Sequence, residues 1–102
     1  MWRNGWGYLL LDSLALLAAQ QARAADAALL LGFVDAWYLR HDDTRQPNEL
    51  RLATLAAAAA VAALGAQPFA QARSEGTRIG DTQAEALAHS LLPQPQPAAI
   101  VR

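Results

Sequence analysis

The stretch Tyr8–Leu39, YLLLDSLALLAAQQARAADAALLLGFVDAWYL, most constrains what this chain can fold into. Leu10, Leu14 and Leu17 recur along one stripe, continued by Ala18 and Gln21. Ala27, Leu30, Leu31 and Val34 form a second stripe, with Trp37 and Tyr38 one turn on. This i, i+3, i+4, i+7 recurrence gathers apolar groups on one helix face, and strand alternation fails over the same residues. The spacing predicts two helices joined by a tight turn at Ala22–Ala24. Leu9, Leu11 and Leu16 stand off the main stripe of the first helix. A helix apolar on more than one side is buried on more than one side. Small residues at Ala15, Ala22 and Ala27 stand where two paired helices would approach closely.

Downstream, the polar run LRHDDTRQ breaks the pattern. Pro47 suits a first helical position and Glu49 a first turn, so a third helix is expected to end at Leu64, with Gly65 as its stop. Leu52 to Leu64 carries no charge, but it is shorter than the ~20 apolar residues a membrane span needs. The expected reading is an alanine-rich helix packed between neighbours. Ala66–Glu75 forms a shorter helix with Phe69 and Ala72 inward and Gly76 as its stop; Ile79 then anchors a loop. The last helix opens at Asp81 or Thr82. Thr82 and Glu85 have the form of a capping box, and Ala84, Leu87, Ala88 and Leu91 give one apolar stripe. Pro93, Pro95 and Pro97 end it. The expected fold class is all-α with about five helices. Residues 1–7 form a lead-in, 8–92 one helical domain, and 93–102 a proline-rich disordered tail.

At 102 residues, one domain is expected. Such a domain buries only ~60–65% of the surface its unfolded chain exposes, so its stability should be modest. The 54% hydrophobic content is inflated by alanine. Cysteine is absent, which removes disulfides and thiolate chemistry and fits a reducing cytoplasm. All 8 basic residues are arginine against 9 acidic ones, a net charge of -1. That balance has no electrostatic footprint for nucleic acid. The start of the chain imitates a secretory leader loosely, but Asp12 interrupts its apolar core, and the expected localisation is cytoplasmic.

No catalytic constellation stands out. His41-Asp42-Asp43 has metal-ligating side chains, but three neighbours in one loop fall short of the four well-placed ligands of a structural site. Glu85 and His89, at i, i+4, suit a surface ion pair. Asp12-Ser13 lacks the G-x-S-x-G elbow of a serine nucleophile. A phosphate-binding loop of the G-x-x-x-x-G-K-[ST] type needs a lysine. Asp12 and Asp35 read as edge or groove polar groups rather than a carboxylate pair. Trp37 and Tyr38, beside Arg40, have the composition of a binding hot spot, but they continue the apolar stripe and read first as core. No enzyme, cofactor or metal is therefore expected; a helical ligand- or metal-binding domain or enzyme built on the His41 loop stands as the alternative.

Ala15, Ala22, Ala27 and Val34 have the spacing of a tetratricopeptide-type helical hairpin, with Ala22 where that repeat often has glycine. The segments LALLAAQQARAADAALLLGFVDAWY, RQPNELR, ALGAQPFAQARSEG and DTQAEALAHSL, in this order, resemble the C-terminal end of the helical-repeat region in large bacterial ATPase-type transcriptional regulators. The resemblance implies antiparallel helical hairpins forming a tetratricopeptide-like array end, and a non-enzymatic protein-interaction role in transcriptional signalling. The expected partners are adjacent repeats or a regulator protein, with no direct nucleic-acid or membrane contact. The residues expected to carry contact are Leu10, Leu14, Leu16, Leu17, Leu30, Leu31, Val34, Trp37 and Tyr38. Leu9, Leu11 and Leu16 are expected to be left open by a missing upstream repeat, which favours a homodimer or a sticky monomer.

Overall fold

A computed structural model describes residues 6–91, with side chains from 11 to 91. Five helices follow one another: α1 (Trp6–Gln20), α2 (Ala24–Arg40), α3 (Pro47–Leu64), α4 (Ala66–Gly76) and α5 (Asp81–Leu91). The described residues contain no strand. The all-α expectation is met, and the boundaries fall within two residues of those expected. α1 begins at Trp6 rather than Tyr8 because Gly7, a weak helix former, does not stop it. The expected disorder of 93–102, and the side chains of Leu9 and Leu10, lie outside the described residues.

The turns are set by local chemistry. Ala22 takes a left-handed φ of 63°, and the Arg23 N–H returns to the Ala18 carbonyl at 2.8 Å. This 6→1 bond is the Schellman ending of a helix, here made without glycine. α2 ends the same way. Asp42 has φ 52°, and the Asp43 N–H reaches the Tyr38 carbonyl at 3.0 Å. α3 and α4 are joined by Gly65 alone, at φ 95°. α5 takes the earlier of its two expected starts. It opens at Asp81, with the Gly80 carbonyl accepting from the Ala84 N–H. Thr82 therefore sits inside the first turn and not at the capping position.

α2 is the central element: it packs on α1, α3, α4 and α5. α1 and α3 make one layer, α2 and α4 the other, and α5 closes against α1 and α2. The core holds Leu11, Leu30, Leu31 and Val34, all fully buried, with Phe33 and Tyr38 nearly so. Full burial of one such side chain contributes roughly 1.5–3 kcal/mol. Alanines 53, 56 and 60 form the inner stripe of α3, and Ala84, Ala88 and Leu91 that of α5. Small side chains there let backbones come close.

α2 and α4 approach closely enough that their backbones meet at two glycines. A Cβ at Gly32 would collide with the Arg73 carbonyl, and one at Gly76 with the Leu29 carbonyl. Along α2 from Leu29 to Gly32, the partner runs from Gly76 back to Arg73, so α4 opposes α2 at the crossing. Gly76, expected only as a helix stop, is also a packing residue.

Of the face expected to be open on α1, Leu11 is turned inward and fully buried, Leu16 packs against the core while partly exposed, and the side chain of Leu9 lies outside the described residues. α1 touches α2, α3 and α5, while Leu14, Leu16 and Leu17 stay partly exposed.

Candidate functional site

Two aspartates break the apolar runs of α1 and α2, and the fold brings them to one arginine. Arg45 lies in the connection between α2 and α3. Its Nε and Nη2 donate to the two oxygens of Asp12 at 2.7 and 3.1 Å. Its Nη1 donates to Asp35 Oδ1 at 2.7 Å. Arg73 of α4 then donates from Nε and Nη2 to the Asp35 oxygens at 2.6 and 2.9 Å. The cluster of two carboxylates and two guanidiniums is neutral and ties α1, α2, α4 and the α2–α3 connection together. Bidentate arginine–carboxylate bonds of this length are the strong kind.

Asp12 is fully buried, against the expectation of an edge position, and the Arg45 side chain is 11% exposed. A buried carboxylate is tolerated only when paired, so Asp12 required a cation. Burial pushes Asp12 above its usual value despite the bonds from Arg45. Burial acts in the same direction on Asp35, but the bonds from Arg73 and Arg45 outweigh it and hold Asp35 low. For Arg45, burial is outweighed by the two carboxylates, which raise its pKa. A shared guanidinium between two aspartates holds no free base and no nucleophile. The two aspartates meet through Arg45, a structural junction.

Beside the cluster lies an open groove of about 340 Å³, lined by Asp35, Tyr38, Leu39, Asp43, Thr44, Arg45 and Leu50. Tyr38 is buried in its floor with the Arg45 guanidinium 5.5 Å from its ring centre. Trp37 is partly exposed and packs edge-on to Tyr38 at 5.4 Å. Leu39 and Leu50 stand on the rim, 82% and 55% exposed.

The His41 loop is otherwise engaged. The His41 ring stacks on Trp37 at 3.9 Å, and its Nδ1 lies 2.8 Å from the Trp37 carbonyl. Asp43 accepts from the Thr44 N–H at 2.8 Å. Among the described residues no group of three or more His, Asp or Glu side chains is placed to hold a metal ion. Glu85 and His89 stand 3.9 Å apart on α5. Arg23 clamps the other end of the molecule. It donates to the Ser90 carbonyl and hydroxyl at 3.1 and 2.9 Å and to Asp26 at 2.9 Å.

Of the residues expected to make contacts, Leu30, Leu31, Val34 and Tyr38 are core, whereas Leu14, Leu16, Leu17 and Trp37 are partly exposed. Leu10 lies outside the described side chains. Sequence reasoning missed Arg45, Arg73, Leu39 and Leu50. A signal existed for the arginines: an aspartate set inside a leucine run needs a cation, and this chain has only arginine to supply one.

Over the described residues these features define an all-helical protein with a neutral, partly buried ion cluster and an open groove beside it rimmed by Leu39 and Leu50. No described helix is long and apolar enough to cross a membrane. Comparison of the chain with protein-family models, with curated proteins and with solved structures found no match.

Proposed function

We propose that the chain is a non-enzymatic helical module for protein–protein contact, the atypical end unit of a helical-repeat array like that of large bacterial ATPase-type transcriptional regulators. The observation that carries the contact role is the division of its side chains. The buried and half-buried charges of the cluster neutralise one another, while Leu39, Leu50 and Leu55 are left in solvent. Leu39 and Leu50 share the rim of one groove, and contiguous exposed apolar surface favours association.

Support for an array end comes from the packing order. A three-residue link joins α1 to α2, which pack on each other as the helices of a hairpin would, and α3 packs on α1 and α4 on α2. The opposed course of α4 against α2 departs from a regular repeat, and terminal repeats are the irregular ones.

The test is to fuse two consensus helical-repeat hairpins ahead of α1 and follow thermal unfolding by circular dichroism. An array end couples to its neighbour, so the fusion should melt as one transition above that of the chain alone. Two separate melts, with the chain's own midpoint unchanged, would reject the array reading.

A further inference from the structure

The groove at the corner of α2 and α3 carries its own complement. Leu39 projects from the rim at 82% exposure, next to a cavity of about 340 Å³ floored by Tyr38 and bounded by Leu50. A protruding apolar side chain and an apolar recess on the same patch are what a two-fold interface requires, because each copy presents both halves of the contact.

The charges follow the same logic. Arg40, exposed, directly follows Leu39, and Asp43, exposed, lines the groove. Neither forms an ion pair among the described residues. Arg45 and Asp35, at the base of the groove, are satisfied by Asp12 and Arg73, so an incoming group meets no unmet buried charge. The patch thus combines an apolar rim with the cation of Arg40, next to Leu39 in the chain, and the anion of Asp43 on its lining, opposite charges that a second copy can exchange.

We infer that this groove is the docking surface for a second copy of the chain. Each copy seats its Leu39 against Leu50 and Tyr38 of the other, and its Arg40 meets Asp43 of the other. The inference rests on the reading of the chain as a contact module and adds the surface and the partner. It places the homodimer contact at the end of α2, where the sequence reading looks to the face of α1 with Leu9, Leu11 and Leu16, of which Leu11 is buried. A patch built on two leucines is small, so the dimer forms reversibly with concentration.

Sedimentation velocity over about 1 to 500 μM should show a monomer–dimer equilibrium, the range in which small interfaces associate. Leu39→Glu should weaken association by roughly thirtyfold or more, the loss expected of a central anchor, with an unchanged circular dichroism melt because Leu39 lies in solvent. Charge exchange tests the register. Arg40→Asp alone and Asp43→Arg alone each place like charges together in both halves of the contact and should be monomeric. An equimolar mixture of the two variants pairs opposite charges in both halves and should dimerise. A chain that stays monomeric throughout, an association unmoved by Leu39→Glu, a mixture that stays monomeric, or an aggregate without defined stoichiometry each overturns the inference. The module reading is judged separately by the repeat fusion, made on Leu39→Glu, so either can fail alone.

Discussion

Asp12 shows how one residue constrains the rest. Its carboxylate is fully buried on a helix of leucines and is held by two bonds from Arg45. The pair is not a large source of stability, since desolvation offsets most of the attraction. Breaking it is different, because Asp12 would keep its burial and lose its cation. Arg45→Met should therefore destabilise the fold by about 3–5 kcal/mol. For a chain of this size that lowers the melting temperature by roughly 15 °C or more. The double change Asp12→Leu with Arg45→Met should recover most of the loss, since both charges leave together. A single variant melting within about 3 °C of the parent, a shift worth well under 1 kcal/mol, would show that Asp12 is not held this way. The aspartate was visible in the sequence. Its partner was not, because Arg45 sits 33 positions away in a stretch that reads as an ordinary polar connection.

At the scale of elements, helix limits were legible because they depend on neighbours in the chain. Pro47 opens α3 and Gly65 closes it for reasons contained in those residues. At the start of α5 the sequence left Asp81 and Thr82 open, and the Thr82–Glu85 pattern suggested a cap two residues past the true one, Gly80. How the helices cross was less legible. The contact of α2 with α4 depends on Gly32 and Gly76 lacking side chains, and in sequence Gly76 looks the same as a simple terminator. Gly76→Ala sets a new methyl into the Leu29 carbonyl. Even with ~1 kcal/mol returned by alanine's helix propensity, it should cost about 2–3 kcal/mol. Gly80→Ala, which meets open space, should stay within about 0.5 kcal/mol of the parent. Urea unfolding of the two variants checks the pair; equal midpoints would mean that the helices do not approach as described.

Over the whole molecule, the ion cluster couples folding to pH with two opposite signs. Asp35 lies below the ordinary carboxylate value of 3.8: burial would raise it, and the bonds from Arg73 and Arg45 outweigh that. Its contribution is present above that value and is lost as pH falls through the folded one. Asp12 lies above 3.8 because burial outweighs its pairing. Its contribution is full below its unfolded value and declines as pH rises through its folded value. The melting temperature should thus fall below about pH 3.8, and Asp35→Asn should flatten that acid limb while Asp12→Asn does not. An acid limb equally steep in Asp35→Asn would place the effect elsewhere. The sequence by itself determined the helices, their order, the all-α class and the apolar stripes, because periodicity and capping act over a turn or two of chain. Only the tertiary structure decided that α2 is the centre, that Leu11 lies inside while Leu39 lies outside, and that Asp12, Asp35, Arg45 and Arg73 meet. Those outcomes depend on which faces of distant helices are left to cover one another, and on charges that must find partners wherever the packing puts them.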